Sequence, residues 1–118
     1  MDSNIILDDV KQMLNIQSEV TEFDIDILSS TNSAFFALYQ LGVGPSDTPF
    51  SITSNTLWSE FITQVPKSVI LDYLSLKVKM VFDPPTSSAV IEAYKDRIAE
   101  LEFRMNIMVD SGGGNVTG

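Results

Sequence analysis

Apolar positions in this chain recur at helical spacing. The densest run is Val69 to Phe82, where ten of fourteen positions are apolar. Ser68, Asp72, Ser75 and Lys79 trace a narrow polar strip along it. A helix this apolar around its circumference is buried on several sides, so the stretch from Pro66 to Phe82 is predicted to be the central helix. Pro66 suits a first helical turn, where its missing N–H costs nothing. Asp83-Pro84-Pro85-Thr86 must break the pattern, because successive prolines lack donors and push their predecessors out of the α region. Thr86 or Ser87 can cap the helix that follows. That helix is predicted from about Ser87 to Met108, with Val90, Tyr94, Ile98, Leu101, Met105 and Met108 as its inward stripe. The short break makes the two helices neighbours, most simply an antiparallel hairpin.

Upstream, Ile6, Val10, Met13 and Leu14 predict a short helix over about Ile5 to Leu14, capped by Ser3 or Asn4, with Lys11 off the apolar face. Thr21 is a predicted N-cap, with Asp24 as capping acid, for a helix reaching about Leu41. Leu28, Phe35, Leu38 and Tyr39 form its face, widened by Ile27, Ala34 and Leu41. The run Ser29 to Ser33 is a poor helix former, but the periodicity on both sides carries it. Gly42 supplies a left-handed C-cap. Gly42 to Asn55 reads as a long loop, and Phe50 and Ile52 favour a contact arm over a purely solvated one. Thr56 to Thr63 is predicted as a short helix with Leu57, Trp58, Phe61 and Ile62 facing inward. The fold class is therefore all-α: four main helices plus one short helix, in one domain over residues 1–110. Residues 111–118, Ser111-Gly112-Gly113-Gly114-Asn115-Val116-Thr117-Gly118, read as a flexible tail by composition.

Phe103 and Ile107 lie well away from the inward stripe of the last helix. Large apolar residues on an outer helix face suggest a partner surface.

Composition narrows the chemistry. With 44% hydrophobic residues in 118, a real core is available. There is no cysteine and no histidine, which excludes disulfides, thiolate chemistry and Cys/His zinc sites and removes the commonest neutral-pH base. Catalysis is disfavoured, and no cofactor is expected. Asp24-x-Asp26 could open a calcium loop, but Ser29 and Phe35 stand where glycine and glutamate are needed. The pair Glu92 and Asp96 has no base or nucleophile beside it. Gly42-x-Gly44 lacks the Lys-Ser/Thr of a phosphate loop. No apolar run is long enough to span a membrane, and the acidic start does not read as a secretory signal.

The net charge is −9 and uneven. Residues 1–65 hold nine acids against Lys11 alone, whereas residues 66–109 hold six of each sign. Binding nucleic acid by counterion release needs a basic patch, so the excess serves solubility or a surface that sits near DNA without holding it.

Several separated blocks carry a resemblance. Leu7-Asp8-Asp9-Val10-Lys11, Leu38-Tyr39-Gln40-Leu41-Gly42-Val43-Gly44-Pro45, Trp58-Ser59-Glu60-Phe61, Leu76-Lys77-Val78-Lys79, Phe82-Asp83-Pro84-Pro85-Thr86-Ser87-Ser88, Val90-Ile91-Glu92-Ala93-Tyr94-Lys95 and Glu100-Leu101-Glu102-Phe103-Arg104-Met105 occur in this order. Over roughly Ile5 to Ile107 the chain resembles the head–tail connector (adaptor) proteins of long-tailed phages. The resemblance implies a structural virion protein that forms a homo-oligomeric, dodecameric ring beneath the portal protein. Such a ring extends the DNA channel without specific DNA binding and docks the next neck or head-completion protein. It makes Phe103, Ile107, Phe50 and Ile52 candidates for the subunit interface. The tail residues Ser111, Gly112, Gly113, Gly114, Asn115, Val116, Thr117 and Gly118 become candidates for the portal contact. From the residues alone, an acidic DNA mimic or inhibitor and a small regulatory enzyme subunit remain alternatives.

Overall fold

The computed structural model describes residues 4–112. Four α-helices follow one another: α1 (Ile6–Met13), α2 (Asp24–Gln40), α3 (Lys67–Phe82) and α4 (Ser88–Gly112), with a single 3-10 turn at Trp58–Glu60 between α2 and α3. The described residues contain no strand; their one β-bridge pairs Ile5 with Leu57. The all-α architecture expected from the apolar spacing is present.

α3 is the centre. It packs against α1, α2 and α4, and α1 also touches α2. Ile70, Tyr73, Leu74 and Val78 are each fully buried. They meet Ile27, Ala34, Phe35 and Leu38 of α2, Ile6, Leu7 and Val10 of α1, and Leu101 and Met105 of α4 in one core. Pro66 occupies the N-cap position of α3, one residue before the helix proper, and its carbonyl accepts from Val69 and Ile70. α3 stops at Phe82, and Lys79 closes its end on the Asp83 carbonyl and carboxylate, both at 3.2 Å. Ser87 then caps α4: its Oγ accepts from the Val90 N–H at 3.4 Å. The hairpin and its proline break are as the sequence predicts.

The helix starts upstream are built differently. No side chain caps α1 or α2. For α1, the chain after the long loop supplies the partners: the Ile6 N–H donates to the Thr56 carbonyl at 3.0 Å, and the Trp58 N–H to the Asn4 carbonyl at 2.8 Å. Ile5 holds the N-cap position and no side chain caps it, so Asn4 is not the cap expected there; Ser3 lies outside the described residues. For α2, Phe23 stands at the N-cap, and the expected capping acid Asp24 turns towards Lys11 instead.

Two helix ends close with the same pair of backbone bonds. After α2, Gly42 adopts φ +83°, its N–H donates to Tyr39, and the Val43 N–H donates to Leu38. After α1, Asn15 does the same at φ +63°, with bonds to Gln12 and from Ile16 to Lys11. Asparagine tolerates this left-handed geometry better than other side chains. Each closure turns an apolar residue, Val43 or Ile16, back onto the core.

The loop after Gly42 is not an arm. Val43 and Ile52 are buried and Phe50 is half-buried. The rings of Phe35, Phe50 and Phe61 form a triangle with centroids 4.9–5.1 Å apart. Asn32 of α2 clamps the loop from both sides: its Nδ2 donates to the Ile52 carbonyl at 3.1 Å, and its Oδ1 accepts the Ile52 N–H at 2.7 Å. Gly44, at φ +94°, admits the Phe61 ring so closely that a Cβ would stand 2.5 Å from it. Both the backbone angle and the contact therefore require glycine there. The helix predicted over Thr56 to Thr63 shortens to the Trp58–Glu60 turn. Phe61 faces inward as expected and Trp58 is half-buried, but Leu57 and Ile62 are exposed, Ile62 to 72%. A single turn presents too narrow a face to bury four large side chains.

Candidate interaction surfaces

The expected contact residues that the structure describes fall in different settings. Phe103 and Ile107 lie one turn apart on the outer face of α4, 67% and 48% exposed. Leu101 and Met105, on the opposite face, are buried. Ile52 is different: at 5% exposure its side chain lies in the domain's own core, with little surface left for a neighbouring chain. Phe50 retains part of its surface but is held by the Phe35 and Phe61 rings. Of the candidate portal-contact residues, Ser111 and Gly112 form the last positions of α4, two residues past the expected tail boundary. Gly113, Gly114, Asn115, Val116, Thr117 and Gly118 lie outside the described residues.

The hairpin tip forms a second surface. From Val81 to Glu100 no residue is fully buried. Val81 and Val90 are 71% and 40% exposed. α2 adds a third, with Ile25 82% and Phe36 48% exposed. The Phe36 ring stacks on Tyr39.

Polar groups tie these elements together. Lys11, which the α1 periodicity placed away from the core, is only 1% exposed. Its Nζ donates to the carbonyls of Ser18 at 3.0 Å and Val20 at 2.6 Å. It also lies 2.8 Å from Asp24 Oδ1, an ion pair that lacks regular hydrogen-bond geometry. One ammonium thus fixes the connection between α1 and α2. On the opposite edge of α1, Asp9 accepts from the Trp58 indole N–H at 2.7 Å and pairs with Lys67 at 3.2 Å, and the Lys67 ammonium lies over the Trp58 ring.

Across the hairpin, the buried Tyr73 donates its hydroxyl to Glu102 at 2.7 Å. Burial pushes the Tyr73 phenol well above its usual range, and the hydrogen bond to the Glu102 carboxylate and its charge add to the shift. The unfolded phenol ionises near pH 10 while the folded one stays neutral. The stabilisation is therefore complete below that pH and fades as pH rises beyond it. Tyr73→Phe is expected to melt lower than wild type by a constant margin between about pH 6 and 9, with the margin narrowing above about pH 10. Thermal melts at a series of pH values check this; a margin unchanged to pH 11.5 contradicts it.

Among the described residues no group of three or more acidic side chains could hold a metal ion. Asp24 pairs with Lys11, and Glu92 lies 3.9 Å from Lys95. No helix in the described region is long and apolar enough to cross a membrane. This is a small helical protein with a well-formed core and several large apolar side chains left outside it.

The chain belongs to the phage connector protein family, whose profile it matches over residues 6–112. The match runs from the first residue of α1 to the last of α4. Its role is that of a structural phage connector, working with other head and tail proteins of the particle. No significant match to a curated protein or to a solved structure was found.

Proposed function

We propose that this protein is a head–tail adaptor that assembles as a dodecameric ring beneath the portal, lengthens the DNA channel and presents a docking surface to the next neck protein. The observation that carries the proposal is the family match over all four helices, joined to the large apolar side chains that the fold leaves uncovered on α4. Its action is binding and geometry. The acidic excess of residues 1–65 suits a wall that passes DNA without holding it, with a reach of about 8–10 Å in physiological salt. Residues 111–118, the first two of which end α4, are proposed to make the portal contact.

Phe103 and Ile107 are proposed to pack against another chain of the assembly. Phe103→Asp replaces an exposed ring with a charge, so the monomer's stability is expected to change by no more than about 0.5 kcal/mol. Incorporation into particles, or ring formation judged by light scattering with and without portal protein, is expected to fall at least tenfold. A collapse of monomer stability would place Phe103 in the core. Wild-type protein that stays monomeric at every concentration and also ignores the portal would remove the ring.

A further inference from the structure

Lys77 stands apart from the chain's other cations. Lys11, Lys67, Lys79, Lys95, Arg97 and Arg104 each have a carboxylate within ion-pair distance. Among the described residues Lys77 has only the Tyr73 ring, 5.8 Å from its Nζ. It stands at the rim of a groove of about 340 Å³ between α3 and α4. Met80, Val81, Ile98 and Ala99 provide apolar walls, and Lys95, loosely paired at 3.9 Å and 60% exposed, stands on the rim with Lys77. Glu102, the one acid among the lining residues, is engaged by the Tyr73 hydroxyl, and Glu92 stands beside Lys95 at 3.9 Å. In a chain of net charge −9 this is an apolar slot with a basic edge.

The complementary shape lies on the same molecule. At the start of α2, Ile25 projects with 82% of its surface exposed. Glu22 and Asp26 beside it are exposed, with no ion-pair partner among the described residues. An apolar knob flanked by two carboxylates matches a slot flanked by two lysines. A symmetric contact of groove on groove would set lysine against lysine. A phosphate backbone would meet too few bases on too acidic a chain.

We propose that the α3–α4 groove receives the Glu22–Asp26 edge of a second copy of this chain, Ile25 entering the slot and Glu22 and Asp26 facing Lys77 and Lys95. The two patches differ, so the contact is head-to-tail, the kind that closes into a ring when the rotation permits. The inference rests on the ring reading above and names which surfaces meet.

The chain has no cysteine, so an engineered pair is unambiguous. Ile25→Cys and Val81→Cys lie at exposed sites, 82% and 71%, and are expected to leave the monomer melt unchanged. Under mild oxidation of the assembled protein, the double variant is expected to give a ladder of covalent oligomers on a non-reducing gel. Mixed single variants should give dimers only, and neither single variant alone should cross-link. In a second measurement, Lys77→Glu and Asp26→Lys are each expected to raise the concentration for assembly about tenfold or more, and the pair together to recover most of it. Cross-linking by Ile25→Cys alone would overturn the proposal in favour of a symmetric contact. Wild-type rings with no ladder from the double variant would overturn it while leaving the ring intact. Lys77→Glu protein that still forms rings but loses portal binding would assign the groove to the portal instead. Absence of any wild-type oligomer, with or without portal, would remove the ring and this contact together.

Discussion

Replacing Lys11 with methionine is expected to destabilise the protein by about 3 kcal/mol, a loss of about 10 °C in melting temperature for a chain of this size. Methionine keeps the buried stem but removes the ammonium. The Ser18 and Val20 carbonyls then lose their donor, and Asp24 loses its ion-pair partner. Removing one member of a buried pair costs about 3–5 kcal/mol. The lower end applies because Asp24 keeps 20% of its side-chain surface in water. The effect should be local before it is global: amides from Asn15 to Asp24 are expected to lose exchange protection first. Lys95→Met, on the exposed hairpin, provides the contrast and should shift stability by less than about 0.5 kcal/mol. Equal melts for the two variants would show that the Lys11 tether contributes nothing.

Leu74→Ala is expected to cost about 3–4 kcal/mol. Leu74 is fully buried on α3, the helix that all three others contact. Its removal deletes the side chain's burial and leaves a cavity that backbones on several sides prevent from collapsing. Val78→Ala, equally buried one turn on, removes less volume and should cost about 2 kcal/mol. Val81→Ala, on the same helix but 71% exposed, should be close to neutral. Denaturant unfolding of the three variants gives the order directly. Unchanged melts for both Leu74→Ala and Val78→Ala would displace α3 from the centre.

The helices were legible because their signals are local. The apolar run of α3, the Pro84-Pro85 break, the Ser87 cap and the Gly42 closure each act within a few residues, and each appears where the sequence places it. The outward placement of Phe103 and Ile107 was legible for the same reason, since a helix of known phase has a known back. The facing of α1 was not. Choosing Ile6, Val10, Met13 and Leu14 as its face set Lys11 outside; the buried set is Ile6, Leu7, Val10 and Lys11, with Met13 47% exposed. Lys11 sits about 40° from Leu7 on a helical wheel, so giving Leu7 its weight would have drawn the lysine inward. Asn15 followed by apolar Ile16 was likewise a readable helix stop.

By itself, then, the sequence determined the all-α class, the order of the four helices, the C-terminal hairpin and the central position of α3. These follow from periodicity and from residues that cannot continue a helix. Tertiary structure alone decided the rest. Asn32 meets Ile52 twenty residues away, Trp58 meets Asp9 across 49, and Tyr73 meets Glu102 across 29. A side chain's partner at such separations depends on how whole elements pack, and no local propensity encodes it. That is why Ile52 looked free in the sequence and is buried in the fold, and why Lys77 looked like any other lysine until every other cation had been given its carboxylate.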